Sequence, residues 1–158
     1  MTVSKFEFTD AGFLAVRKGG INLESDVIVA VVVDHAHTAS IGADSTYSDI
    51  SANECSDSDY TTSFAEGHIV ANIAWTDESG RVFMLDADSL DFGNSVTIKG
   101  RYVYLVKRTG SGNTVLSAGD LIVGYVDLRT EDDGNVESVD GNFDLAWAAT
   151  GIYRDTVS

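Results

Sequence analysis

The sequence predicts a mainly β fold, an antiparallel β-sandwich or jelly-roll-like barrel with one short N-terminal helix and a long loop excursion. Asp outnumbers Glu by 18 to 7, and Asp disfavours helix interiors because its short side chain competes for backbone hydrogen bonds. The apolar runs are short and rich in β-branched and aromatic residues, which favour strands. Clusters of Gly, Asn, Asp and Ser separate these runs as turns do in sandwiches and barrels.

The N-terminal helix is expected within residues 1–20, which form a helical arm, and its own span is residues 9–20. Thr9 or Asp10 is suited to cap the first turn, and Gly19 with Gly20 supplies a left-handed end. Cations are favoured near the carbonyl end of a helix, where Arg17 and Lys18 stand. The expected apolar face is formed by Phe13, Leu14 and Val16.

Residues 27–33 predict a central strand covered on both faces, because they are apolar without interruption and almost all β-branched. Residues 34–67 form the loop excursion, rich in Asp, Ser, Thr and Gly, with one helical turn expected near residues 45–50. Binding residues concentrate on loops held by a rigid scaffold, so this excursion is the expected place for partner contacts.

The remaining chain predicts strands in quick succession. Residues 68–75 and 81–85 form a hairpin across the turn at residues 76–80. Further strands are expected at residues 89–92, 96–107, 121–128 and 143–147. In the long strand, Tyr102, Tyr104 and Val106 form one face, with Val103 and Leu105 on the other. Alternation in the next strand places Ile122, Gly124, Val126 and Leu128 together.

Aromatic residues alternate along these strands and are therefore expected in the core. They are Trp75, Phe83, Tyr102, Tyr104, Phe143 and Trp147. An exposed aromatic row would instead indicate sugar stacking or a protein interface.

The length and the net charge of the chain limit the classes of protein to which it can belong. The chain of 158 residues suits a single β domain, residues 1–158. Its formal net charge of −15 argues against binding to nucleic acid and against docking on an anionic membrane. The longest apolar run has seven residues, where a membrane-spanning helix needs about 20. The N-terminus lacks the pattern of a secretory signal, which predicts assembly in the cytoplasm.

No catalytic or cofactor motif stands out, so the sequence predicts a protein that is not an enzyme and carries no cofactor. His35 and His37 would point the same way on an extended chain, and a zinc hydrolase would need a third ligand from Asp34, Asp44 or His68. A polar loop beyond a core strand explains these residues more simply.

The acidic groups suited to calcium lack a consensus spacing: Asp57 and Asp59; Asp86, Asp88 and Asp91; Glu131, Asp132 and Asp133. Cys55 has anionic neighbours, which indicates a structural rather than a reactive thiol.

The order of several segments carries a resemblance to a known group of proteins. The segments are residues 19–26, 27–33, 47–54, 59–61, 86–88, 98–105, 124–127, 141–147 and 151–152. In this order the chain resembles small virion proteins of tailed bacteriophages. Among these, it is most similar to head decoration, or cement, proteins.

The resemblance implies a β-rich structural protein on the outer capsid surface of a virion assembled in the host cytoplasm. Its implied partner is the major capsid protein, and its implied state is a homo-oligomer, with a trimer favoured. Two alternatives stay open: a tail, neck or fibre component, and a carbohydrate-binding β-sandwich module. The expected partner-binding residues are Arg17, Lys18, Tyr47, Ile50, Tyr60 and Phe64. The alternative for the excursion residues is that they pack the loop onto its own sheet.

Overall fold

The computed structural model describes residues 2–3, 5–63, 67–109, 115–128, 134–149 and 151–156. It confirms the predicted fold class, because 42% of the chain is strand and 14% is helix, in a sandwich-like arrangement of antiparallel sheets. The described strands are β1 (Thr2–Val3), β2 (Phe6–Phe8), β3 (Ile28–Val33), β4 (His68–Ile69), β5 (Ala74–Asp77), β6 (Val82–Asp86), β7 (Leu90–Asp91), β8 (Val96–Gly100), β9 (Tyr102–Lys107), β10 (Ile122–Asp127), β11 (Val136–Gly141), β12 (Asp144–Trp147) and β13 (Tyr153–Thr156). The described helices are α1 (Asp10–Arg17), α2 (Tyr47–Ile50) and α3 (Ser58–Ser63), with a 3-10 turn at Ser51–Asn53.

A five-stranded antiparallel sheet in the order β2-β10-β9-β3-β4 forms the centre of the described part of the chain. The other described sheets have the orders β1-β12-β7, β13-β6-β5 and β11-β8. The pair β1 and β12 is parallel. Alternate residues of the central sheet enter two separate cores, one on each of its faces. The smaller core lies under the first half of the excursion and includes Ile50, Tyr102, Tyr104 and Tyr125.

Strand β3 confirms the prediction of a central strand. All six of its residues are buried, because β9 pairs with it along its whole length and a core covers each face. The two predicted faces of β9 are also confirmed, since Tyr102, Tyr104 and Val106 enter the smaller core while Val103 and Leu105 enter the larger one.

Helix α1 begins and ends where the sequence predicts, but its predicted apolar face is only partly confirmed: Val16 packs against the larger core, whereas Phe13 and Leu14 do not. The Thr9 hydroxyl accepts a hydrogen bond from the Gly12 amide at 3.0 Å, and Gly19 adopts a φ of +74°. Phe13 is 43% exposed and Leu14 is 52% exposed. The reason lies at Gly12, which faces β10 so closely that a Cβ there would stand 2.1 Å from the Val123 carbonyl oxygen. The side of α1 opposite Gly12 is therefore turned to solvent.

The predicted strand over residues 68–75 is broken into β4 and β5, which belong to different sheets. The chain pairs with β3 only over β4, and β5 begins at Ala74. Asn72 separates them with a φ of +53°, which breaks the extended alternation, and its side-chain amide donates to Asp88 Oδ2 at 2.7 Å. The hairpin of β5 and β6 is confirmed, in the register Trp75 with Leu85.

The predicted long strand over residues 96–107 is broken into β8 and β9, which belong to different sheets. The break is at Arg101, whose amide donates to the Val33 carbonyl and whose carbonyl accepts from the Leu128 amide, both at 2.8 Å. Strands that change sheets make the corners of a sandwich. The 96–107 segment is such a corner.

Strand β10 departs from the predicted alternation because its pairing with β9 shifts between Ile122 and Gly124. This irregularity puts Ile122 on the same side as Tyr125, whereas Val126 enters the other core with Val123. Of the aromatic residues predicted in the core, Tyr102, Tyr104, Phe143 and Trp147 are buried and Trp75 is half-buried. Phe83 is 38% exposed, so its placement in the core is wrong.

Candidate functional site

The outward side of α1 is the candidate binding surface of the molecule. We call Phe13, Leu14, Arg17 and Lys18 the α1 surface; all four are exposed. The Arg17 guanidinium lies over the Phe13 ring, 5.4 Å from its centre. Aromatic residues and Arg are enriched at protein interfaces, where an apolar centre is desolvated beside a charged rim. The arrangement is therefore suited to bind another macromolecule.

A row of aromatic rings supports the α1 surface from behind. Phe13 contacts Phe8, Phe8 contacts Tyr153, and Tyr153 contacts Trp75, with ring centres 5.8, 4.9 and 6.4 Å apart. Every contact is edge-to-face, with interplanar angles between 67° and 87°. Adjacent rings at such angles do not form a flat platform for stacking a sugar chain. They join α1 to β2, β13 and β5, and this fixes the position of Phe13.

Most basic residues in the described part of the chain form ion pairs with carboxylates, but Arg17 and Lys18 do not. Ion pairs to carboxylates are held by Lys5, Lys99, Arg101, Lys107 and Arg154. Arg17 and Lys18 hold no ion pair with any residue that the structure describes. Two uncompensated cations beside exposed apolar side chains, on a chain of net charge −15, are suited to a partner with carboxylates at its surface.

The other predicted partner-binding residues lie apart from the α1 surface. Ile50 and Tyr60 are fully buried, so they present no side-chain surface to a partner; they pack the excursion onto its own sheet. Tyr47 is half-buried. Phe64 lies outside the described residues. The structure thus brings Arg17 and Lys18 together with Phe13 and Leu14, which the sequence predicts on the apolar face of α1.

Glu54 links α2 and α3 of the excursion through its side-chain carboxylate. It accepts hydrogen bonds from the hydroxyls of Tyr47 and Tyr60, the latter at 2.9 Å. The Tyr60 hydroxyl also accepts from the Val32 amide at 3.2 Å. Burial, with the neighbouring Glu54 carboxylate, raises the pKa of Tyr60 well above its ordinary value. These contacts hold the segment between α2 and α3 on β3.

The two histidines of the metal hypothesis have separate partners. His35 Nδ1 lies 2.9 Å from Asp34 Oδ1 at the surface. His37 Nε2 lies 3.1 Å from both Asp44 Oδ2 and the Tyr104 hydroxyl, which itself donates to Asp44 Oδ2 at 2.6 Å. His37 therefore belongs to a buried polar network. No group of three or more His, Cys, Asp or Glu within the described ranges could hold a metal ion.

Several acidic residues of the calcium hypothesis accept hydrogen bonds from backbone amides. Asp57 accepts from the Lys99 amide at 2.8 Å and Asp59 from the Thr97 amide at 2.6 Å, so both support β8. Asp91 accepts from the Gly93 amide at 2.8 Å. The group at Glu131, Asp132 and Asp133 lies outside the described residues. Cys55 is buried, and burial raises its pKa to about 11, as for an unreactive thiol.

A cavity of about 280 Å³ opens on the face of the central sheet that bears the tyrosines. Its lining residues are Lys5, Glu7, Ala39, Tyr102, Tyr125 and Asp127. No sequence pattern predicts this site, because the lining comes from four separate segments and no single segment carries a motif. Pairing of β2 with β10, which places Glu7 opposite Tyr125, is the contact that forms it.

Comparison with known proteins finds no match: no family model fits the chain, and no curated protein or solved structure is similar to it. Among the helices in the described part of the chain, none is both long enough and apolar enough to cross a membrane.

Proposed function

We propose that this chain is a structural protein of a phage virion, a decoration or cement protein that binds the outer surface of the assembled head. The observation that carries the proposal is the α1 surface, where exposed Phe13 and Leu14 adjoin the cations Arg17 and Lys18, which form no ion pair within the described part of the chain. The resemblance of the chain to small virion proteins supplies the partner. The occupant of the α1 surface is then the major capsid protein, contacted at an apolar site that carries carboxylates.

A cement protein acts by binding one state of the shell better than another. Binding only to the assembled, expanded shell stabilises that state in proportion to the difference in affinity. A homo-oligomer, with a trimer favoured, would present several α1 surfaces at once, so that weak single contacts suffice. The net charge of −15 suits a protein displayed at high density, because like charges limit unspecific association.

Electron cryo-microscopy of the particle fraction that contains this chain tests the proposal. We expect density repeated over the outer head lattice, with α1 against the shell. Density confined to one end of the particle, at low copy number, would instead favour the tail, neck or fibre alternative. A chain that is absent from all particles would contradict the virion assignment. Binding to a glycan array, compared with and without a chelator, would then favour a carbohydrate-binding module.

Two pairs of variants test the interface itself. Leu14→Ser should reduce binding to heads about tenfold or more, as loss of an interface anchor does, while the exposed Val139→Ser on β11 should not. Arg17→Glu should also weaken binding, whereas Arg154→Glu, which carries the same charge change on β13, should have little effect. Equal binding by all four variants would contradict the assignment of α1 as the interface.

A further inference from the structure

The exposed side of α1 carries charges of opposite sign at its two ends. Asp10, the first residue of the helix, is exposed and makes no ion pair with any residue in the described ranges. Arg17, the last residue, is exposed and equally without an ion pair there. The helix has eight residues, so its first and last residues are about two turns apart and lie on the same side. Asp10 therefore extends the α1 surface with an acidic group.

The apolar residues of the α1 surface lie between these two charges. Phe13 and Leu14 are 43% and 52% exposed, and the midpoint between them is also the midpoint between residues 10 and 17. A second α1 that lies antiparallel across the first, related by a two-fold axis at this midpoint, sets each Asp10 opposite the Arg17 of the other copy. The same axis sets each Phe13 opposite the other Leu14. Such a self-matching surface is what an isologous dimer interface requires.

The charge of the chain favours this contact over other contacts between two copies. Each copy has a net charge of −15, so most surfaces bring carboxylates together when two copies meet. On the side of α1 that faces solvent, Arg17 and Lys18 outnumber Asp10. Antiparallel pairing joins opposite charges, whereas parallel pairing would set Asp10 against Asp10 and Arg17 against Arg17. Charge complementarity of this kind determines orientation and register more than affinity.

We propose that two copies of this chain pair through antiparallel α1 helices and so cover each other's α1 surface. Four side chains from each copy make the matched contacts, which is fewer than a stable complex uses. The pair is therefore weak and exchanges readily, with a dissociation constant on the order of 100 μM. Its role rests on the proposed function: it covers the α1 surface until the chain docks on a head. It is distinct from the shell-bound trimer, in which α1 faces the shell.

Sedimentation velocity of the full chain tests the pairing. Over concentrations from about 10 μM to about 1 mM, which span the expected dissociation constant, we expect a reversible equilibrium between monomer and dimer. A chain that stays monomeric throughout, or that assembles only into trimers, would overturn the proposal.

Charge reversal tests the register of the two helices. Asp10→Arg sets two cations against each other across the axis, and Arg17→Asp sets two carboxylates, so each change should weaken pairing about tenfold or more. The double variant Asp10→Arg/Arg17→Asp restores both ion pairs and should recover most of the dimer. Arg154→Asp makes the same charge change on β13 and should leave pairing unchanged. A folded double variant that pairs no better than the single variants would overturn the proposal.

A second variant keeps the test independent of helix stability. Charge reversal also opposes the helix dipole, so circular dichroism must show that the charge variants are folded. Leu14→Ser leaves both charges in place and removes an apolar contact beside the axis, and it should weaken pairing about tenfold or more. Val139→Ser, on the exposed part of β11, is its control. Unchanged pairing in Leu14→Ser would contradict an interface centred on α1.

Binding to heads separates this proposal from the proposed function. Asp10→Arg prevents pairing but keeps Arg17 and Lys18, so it should bind heads at least as well as the parent chain. The double variant should pair but bind heads weakly, because Arg17 is absent. Pairing by a parent chain that does not bind heads would contradict the proposed function alone. Head binding by a parent chain that does not pair would contradict the self-association alone.

Discussion

Gly12 determines how closely α1 lies on β10, and it does so against its own helix propensity. Alanine stabilises a helix interior by about 1 kcal/mol relative to glycine, so Gly12→Ala would help an isolated helix. In the protein, the new Cβ would stand 2.1 Å from the Val123 carbonyl oxygen and 2.6 Å from that of Ile122. We expect a net loss of about 1–3 kcal/mol in the free energy of unfolding, the usual cost of overpacking.

The control for that substitution is Gly20→Ala. A Cβ at Gly20 would have its nearest contact at 3.5 Å, an ordinary van der Waals distance. Urea unfolding of both variants should separate them, with Gly20→Ala within about 0.5 kcal/mol of the parent chain. Equal stability of the two variants would mean that α1 can move away from β10 without cost.

The raised pKa of Tyr125 predicts that the folded protein loses stability at alkaline pH. Burial, with the hydrogen bond to Glu7, raises its pKa to about 12 from an ordinary value of 10.0. Between these values the unfolded chain loses the proton while the folded chain keeps it, so the folded state becomes less stable as the pH rises. This contribution is complete below pH 10 and declines up to about pH 12.

Comparison with Tyr125→Phe isolates this effect. The variant lacks the hydrogen bond, so the parent chain should be more stable at neutral pH, and the difference should narrow as the pH rises from 10 to about 12. Other tyrosines titrate in both proteins and largely cancel. Urea unfolding at several pH values measures the difference, and a constant difference across this range would contradict the prediction.

At the scale of elements, Tyr60 provides a buried contact between the excursion and β3. The Tyr60 hydroxyl donates to Glu54 and accepts from the Val32 amide, so Tyr60→Phe leaves a buried amide without that partner. We expect a loss of about 1–3 kcal/mol, with faster amide hydrogen exchange between α2 and α3 than elsewhere.

Tyr153→Phe is the matched control for this substitution. Tyr153 is half-buried in the aromatic row, and its hydroxyl has no hydrogen-bond partner among the residues that the structure describes. It should change stability little and leave exchange in the excursion unaltered. Exchange that rises uniformly over the chain in Tyr60→Phe would indicate that the excursion does not open separately.

The elements that the sequence predicts correctly are those with a local signal. Strand β3 is apolar throughout, α1 has its own cap and stop, and the hairpin of β5 with β6 closes across a short turn. The elements that the sequence did not predict are β1, β2, β11, β13 and α3. Strand β2 has only three residues, and it pairs with residues 124–126 at the other end of the chain.

Only that part of the candidate site which has a local signal in the sequence was predicted. Arg17 and Lys18 were identified because cations at the end of a helix are visible in the sequence. Phe13 and Leu14 were predicted on the apolar face of α1, because the sequence of a two-turn helix does not reveal that its glycine faces the sheet. The cavity depends on the pairing of β2 with β10, which no local pattern predicts.

At the scale of the whole molecule, the net charge of −15 should make stability depend on salt. Repulsion among like charges destabilises a compact state, and raising the ionic strength from about 0.01 to about 0.15 M screens it by shortening the Debye length from about 30 to about 8 Å. We expect the melting temperature to rise over this range. Calorimetry in sodium chloride measures it, and a falling melting temperature would show that the internal ion pairs outweigh the repulsion.

Binding through the α1 surface should respond to salt in the opposite direction. Attraction between Arg17 or Lys18 and carboxylates on a partner weakens when salt screens it. The same increase in ionic strength would therefore stabilise the chain and slow its association. This opposite dependence separates docking through cations from docking that is purely apolar.

The pairing of β2 with β10 has a consequence for synthesis. Residues 6–8 leave the ribosome more than a hundred residues before their partners at residues 124–126. Strand β1 likewise waits for residues 146–147. Pairing between such distant segments folds slowly, since the intervening loop must close first. The central sheet can therefore be completed only after residues 122–127 have left the ribosome, and until then its unpaired strands are exposed to aggregation.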